Sequence, residues 1–284
     1  MKILFIIIFV FILSIQSYSQ SKWKRSEPIL ENKQTIFKST QTFNLPTSEV
    51  IPKGDLVYGI SHRFSGPVSG GYSTFFGLDN GAFMRMLLAY GVTDKLMLTL
   101  GRTNHQATVD FQAKYKLLHS DINDIPIMLS VNAGVSYIGK SQVKITNSGK
   151  EFQPFLTLVA NTKLFDRLAI GLSPSFLNNT ISHCECETHS ILLGSYLQYY
   201  FNDDMTSIIL EGINTLQGWR GDGAKQFYDT YSAGVEFETG GHFFKLLLTN
   251  SSFINQSQVF GGSPNPFSLK NLTFGFQITR NFGL

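Results

Sequence analysis

From Asp55 onward the chain alternates apolar and polar residues in segments of about ten, separated by turn residues. Val109, Phe111, Ala113, Tyr115 and Leu117 share one parity, while Asp110, Gln112, Lys114 and Lys116 share the other. Side chains along a strand point to opposite faces with period two, so this spacing predicts a strand with one apolar and one polar face. The pattern returns in Ile127, Leu129, Val131, Ala133, Val135 and Tyr137 against Ser130, Asn132, Gly134 and Ser136. It returns again in Tyr231, Ala233, Val235 and Phe237 against Ser232, Gly234, Glu236 and Glu238. A helical period fits none of these stretches.

About twelve such segments follow one another: 55–64, 82–92, 96–102, 108–118, 126–138, 152–163, 168–177, 190–201, 206–213, 228–238, 242–250 and 270–283. An even number of strands, joined alternately by short turns and long loops, is the layout of a single-chain bacterial outer-membrane barrel. Short connections fall at Thr93-Asp94, Phe165-Asp166, Asn202-Asp203-Asp204 and Gly240-Gly241, with His119 to Ile125 longer than the rest. Long ones span 65–81, 139–151, 178–189, 214–227 and 251–269, with only Asn104 to Ala107 short on that side. A two-residue hairpin at Gly240-Gly241 fixes the register and sets Glu236 opposite Lys245, a cross-strand ion pair on the polar face. The expected fold is therefore all-β, an antiparallel transmembrane β-barrel over residues 55–284. A closed barrel is also the one sheet that leaves no unpaired backbone group in hydrocarbon.

The first twenty residues differ from the rest. Lys2, the apolar run from Ile3 to Ile15 and the small residues Ser17 and Ser19 before Gln20 read as a cleaved signal peptide over 1–20. The run is too short for a spanning helix, which needs about 20 residues. Residues 21–54 read as a periplasmic arm or plug segment, polar at first and then weakly alternating through Phe37, Thr40, Phe43 and Leu45 until Pro46 and Pro52 interrupt it.

Composition supports a membrane barrel over a soluble sandwich with its apolar parity turned inward. Only 15% of the residues are charged, against roughly 25% in an ordinary soluble domain. Aromatics recur near strand ends (Tyr58, Tyr90, Tyr115, Tyr137, Tyr199, Phe237 and Phe282), where interfacial girdles form. A formal net charge of +3 without a concentrated basic face argues against nucleic acid as a partner. The partners this leaves are outer-membrane lipid, small solutes if the barrel conducts, and a protein at the external loops.

The runs Gly59-Ile60-Ser61-His62-Arg63-Phe64, Phe76-Gly77-Leu78-Asp79, Tyr90-Gly91-Val92-Thr93-Asp94, Gly101-Arg102 and Lys114-Tyr115-Lys116-Leu117-Leu118 resemble an uncharacterised family of outer-membrane β-barrel proteins. The resemblance covers roughly Phe37 to the C-terminus. It implies the barrel and its location in the outer membrane of a Gram-negative bacterium, and carries no activity and no catalytic residue.

Chemistry concentrates in three places. Charges on the polar parity, with Arg63, Arg85, Lys114, Glu211, Glu236 and Lys245 foremost, would face the lumen and set pore selectivity, or else pair and fill it. The Gly-rich loop 65–81 would fold inward if Asp79 met Arg63 or Arg85. His183, Cys184, Cys186 and His189 place two thiols and two imidazoles within seven residues, a weak metal site set against a small local disulfide or inert thiols. No other metal site and no cofactor is expected. No nucleophile motif surrounds His105 and Asp110 or His189 and Ser190, so no catalytic residue is assigned. The function expected is a passive pore or substrate-selective channel for small solutes, the alternative being a barrel that anchors a partner or surface assembly through its external loops, with a barrel hydrolase as a minor third reading.

Overall fold

The computed structural model describes residues 35–123, 125–140, 149–179, 189–201, 205–218 and 226–283. The export signal expected at 1–20 lies outside them, as do His183, Cys184 and Cys186.

Twelve strands form a closed barrel in which each pairs with its neighbours in sequence and the first pairs with the last. They are β1 (Leu56–Pro67), β2 (Ala82–Thr93), β3 (Leu96–Thr103), β4 (Val109–Ile122), β5 (Ile125–Tyr137) and β6 (Phe152–Leu164). β7 (Leu168–Asn178), β8 (His189–Tyr200), β9 (Thr206–Gln217), β10 (Thr230–Thr239), β11 (His242–Thr249) and β12 (Thr273–Phe282) complete it. Closure runs from Leu56 opposite Phe282 to Arg63 opposite Gly275, all antiparallel. Every strand edge is thereby paired, the condition for sitting in hydrocarbon. Among the described residues the only helix of full α type is the single turn α1 (Gln256–Phe260), and none is long and apolar enough to cross a membrane.

Turn chemistry fixes the register. Gly240 and Gly241 take φ of 53° and 92°, the doubly left-handed conformation of a tight hairpin, which a residue without Cβ adopts at no steric cost. Glu236 consequently lies opposite Lys245. The connection after β4 is shorter than the stretch from His119 to Ile125 suggests, since β4 continues to Ile122 and pairs it with Ile125 of β5. A bulge between Lys116 and Leu118 explains the difference: the extra residue rephases the strand, so Leu117 and Leu118 both face outward and the period-two signal stops.

The outer wall is apolar. Leu100, Phe111, Leu156, Leu158, Leu172, Leu210 and Leu246 are all exposed on it. Tyr58, Tyr90, Tyr115, Tyr199 and Phe237 are exposed toward the short-turn end, and the Tyr137 ring packs tilted against Phe152 toward the long-loop end at 5.1 Å.

The inner wall has two sides. On the inner faces of β5 to β9, Met128, Phe155, Leu177, Leu192, Tyr196 and Ile213 form one apolar cluster. The remaining inner faces carry most of the buried charge, namely Glu236, Lys245, Arg63, Arg85, Asp110 and Lys114, with Glu211 at the border. Glycine makes room for part of it: a Cβ on Gly101 would overlap the Arg85 guanidinium and the Asp110 carboxylate.

Candidate functional site: a filled lumen

Two segments occupy the barrel interior. The first is a strap over residues 35–54. Ile36, Phe37 and Leu45 join the apolar cluster of β5 to β9, and Phe43 packs with Ile209 and Leu247. The second is the part of the β11–β12 connection around α1. Phe253, Val259 and Phe260 enter the same apolar cluster. The Asn255 side chain caps α1 by accepting from Ser257 N at 3.0 Å, which satisfies an otherwise orphaned amide of a helix start.

All six charges singled out on the polar parity are buried against these segments. Glu211 accepts four bonds from the strap: Thr42 Oγ1 at 2.5 Å, Asn44 Nδ2 at 2.6 Å, and the backbone amides of Asn44 and Leu45 at 3.0 and 3.2 Å. Lys114 donates to the carbonyls of Thr40 and Thr47 at 2.6 and 2.9 Å. Lys245 pairs with Glu236 at 2.9 Å and donates to Ser39 Oγ and to the carbonyls of Gln41 and Thr42. The cross-strand pair set by the Gly240-Gly241 hairpin therefore also holds the strap. Arg63, with no exposed surface, donates to the Phe43 carbonyl and to Asn44 Oδ1, both at 3.4 Å.

Arg85 behaves differently. It pairs with Asp110 at 2.6 Å, and Asp110 accepts in addition from Gln112 at 2.8 Å and Asn255 at 2.7 Å. The Arg85 pair thus fastens the β11–β12 connection rather than the strap. A buried pair with its remaining lone pairs satisfied is the arrangement in which ion pairing in a low dielectric is tolerated. Between strap and connection remains a small polar cavity of about 20 Å³, bordered by Gln41, Asn44, Arg85, Gln112, Gln256 and Gln277, which is room for a water molecule.

The inward loop differs from the one expected. Asp79 is exposed and meets neither Arg63 nor Arg85. Its loop turns outward through a 3-10 segment (Val68–Gly77) and is held to the β11–β12 connection, with Val68 N donating to Leu272 O at 2.8 Å and Ser69 Oγ to Lys270 O at 2.7 Å. The signal that separates the two loops is charge. Residues 251–269 contain no ionisable side chain and include Phe253, Ile254, Val259 and Phe260, a composition suited to a filled interior. The strap's anchors, Ser39, Thr42, Asn44 and Ser48, were equally unmarked in the sequence, because polar residues in an irregular segment look like any solvated arm.

His105 and Asp110 do not form a dyad. The His105 ring lies between Phe83 at 4.4 Å and Phe253 at 5.1 Å, and burial pushes its pKa below the ordinary value. No cluster of His, Cys, Asp and Glu able to hold a metal exists among the described residues; His189 begins β8. An outer groove of about 550 Å³ along β7 to β11, lined by Leu172, Leu197, Leu210, Tyr231, Leu248 and Phe267, lies on the lipid-facing wall.

An apolar outer wall around a closed, even-stranded sheet with a polar interior defines a membrane β-barrel of the outer-membrane class. The chain belongs to the family described as a membrane bound beta barrel domain, which it matches over residues 37–282. Among solved structures it is similar to the KdgM porin, at 9% identity and a TM-score of 0.46, covering 80% of this chain and 99% of that one. It is similar also to an outer membrane channel from Pseudomonas putida F1, at 13% identity and a TM-score of 0.47, covering 83% and 98%. The outer membrane protein Omp33 of Acinetobacter baumannii, at 8% identity and a TM-score of 0.41, covers 81% and 98%. No curated protein matches the chain in sequence.

Proposed function

We propose that the protein is a gated outer-membrane channel for small solutes whose closed state is the one described, with the strap as the gate. The observation that carries this reading is how the strap is held. Glu211, Lys114, Lys245 and Arg63 bind it through hydrogen bonds that water would replace in an open lumen, so its departure leaves no wall charge stranded in a dry interior. Arg63, Arg85, Lys114, Glu211, Glu236 and Lys245 would then line the opened path, and their mixed sign favours weak ion selectivity.

Single-channel conductance of the purified full chain tests this, in wild-type form and as the double variant Thr42→Val, Asn44→Ala, which removes two side-chain bonds to Glu211. Rare openings in the wild type and frequent ones in the variant are expected. Silence from both, in protein shown by circular dichroism to be folded and inserted, would discard the channel.

A second reading, a non-transporting anchor, is favoured by the filled lumen together with an apolar patch on the long-loop side. Tyr72 and Leu269 are 85% and 83% exposed there, with Phe75, Phe76 and Phe267 about half exposed. Silent channels combined with loss of a surface assembly on Tyr72→Ser, Leu269→Ser substitution would support it.

A further inference from the structure

Besides burying its apolar side chains, the wall binds the strap along its main chain. Between Thr40 and Ser48, six backbone carbonyls and three backbone amides receive or give hydrogen bonds to wall side chains. Lys114 takes the carbonyls of Thr40 and Thr47, Lys245 those of Gln41 and Thr42, and Gln277 Nε2 that of Phe43 at 2.6 Å. Tyr196 Oη donates to the Pro46 carbonyl at 2.8 Å. Glu211 accepts the amides of Asn44 and Leu45, and Asn161 Oδ1 accepts that of Ser48 at 2.6 Å. Within the segment only two main-chain bonds, Thr42 N to Leu45 O and Thr47 N to Thr40 O, are made to itself.

Two side-chain pockets accompany this ladder. Phe43 fills one formed by Ile209 and Leu247. Leu45 fills another in the larger cluster, above Gly194, where a Cβ would come within 2.6 Å of the leucine. Residues 40–48 carry no charge. The segment turns back on itself, Gln41 bridging Pro46 in antiparallel fashion, and cationic donors for its carbonyls, a carboxylate for its amides and pockets for the side chains at positions i and i+2 are how a surface binds a turned main chain, with main-chain bonds giving affinity and pockets giving preference.

We propose that the lumen wall is a binding site for the main chain of short uncharged peptides, occupied in the closed state by residues 40–48, and that oligopeptides are the solutes for which the strap makes way. The peptide site stands on the wall geometry alone, whereas its use in transport rests on the channel reading.

The test has two readouts. In the first, an acetylated and amidated peptide with the sequence of residues 42–45 is added to bilayers containing the Thr42→Val, Asn44→Ala variant. Reversible interruptions of current are expected, rising with concentration and saturating, while maltotriose at equal concentration gives none. Adding Gln277→Leu, which removes the nearer of two donors to the Phe43 carbonyl and leaves Arg63 at 3.4 Å, should shorten each interruption about fivefold, the value of one neutral hydrogen bond.

In the second readout, hydrogen exchange of the Asn44 and Leu45 amides is followed in the wild-type full chain in detergent. The peptide should accelerate it by displacing the strap, and maltotriose should not. Faster exchange without any conductance would support the peptide site and remove the channel. Conductance interrupted equally by peptide and sugar, or exchange unmoved by the peptide, would overturn the peptide site and leave the channel standing.

Discussion

The strap and the β11–β12 connection fill the same lumen by different physics. Both bury apolar side chains, Ile36, Phe37, Phe43 and Leu45 on the strap, but polar wall side chains also reach the strap's backbone, so part of its hold is hydrogen bonding for which water competes. The connection folds on itself around α1, caps that turn with Asn255, and buries Phe253, Val259 and Phe260 against apolar neighbours. Asn255 links it to the wall twice, accepting from Ser136 and donating to Asp110, which is already paired with Arg85. Aromatic burial has no substitute in water, whereas hydrogen bonding does. Both inserts share the apolar core, and of the two the strap has its main chain bonded by charged wall side chains.

The largest expected effect lies on the core-like insert. Phe260→Ala removes a ring packed edge-on to Phe155 at 6.1 Å and should cost about 3–5 kcal/mol, read as a lower unfolding midpoint in detergent. If the connection were as replaceable as the strap, the midpoint would hardly move. The double variant Thr42→Val, Asn44→Ala should cost less, about 2 kcal/mol, while raising channel opening far more than Phe260→Ala does. Equal opening in both variants would abolish the distinction between gate and core.

Acid should loosen the connection before the strap. His105 rests against Phe253, and its folded pKa lies below the ordinary 6.5 because burial disfavours the charged ring. Above that value both folded and unfolded chains hold it neutral. As pH falls through 6.5 the unfolded chain binds the proton first, so stability declines until the folded pKa is passed. His105→Phe should flatten that part of the stability profile; an unchanged slope would place the acid sensitivity elsewhere.

The smallest effect is expected at the rim. Lys38 meets Glu238 at 3.2 Å with a third of its side chain exposed, and Lys38→Met should change stability and opening frequency by less than about 0.5 kcal/mol equivalent. A larger change would mean that the strap is held at its edge rather than by Glu211 and the lysines within.

Period-two alternation determined much of this molecule, since alternation is a local property that a strand's two faces impose directly on the sequence. The twelve strands, the apolar outer wall, the pairing of Glu236 with Lys245 and the inward direction of Arg63, Arg85, Lys114 and Glu211 follow from parity and from one glycine hairpin. The bulge at Lys116 to Leu118 marks the edge of that legibility, because a single extra residue ends the pattern without ending the strand.

Only the tertiary structure decided what fills the barrel. The choice of the β11–β12 connection over the loop carrying Asp79, and the union of Thr42 and Asn44 with Glu211, join residues whose sequence separation reaches 169. No local period encodes such contacts. They are selected by the volume inside the closed wall and by the need of its buried charges for partners, conditions that do not exist until the last strand has paired with the first.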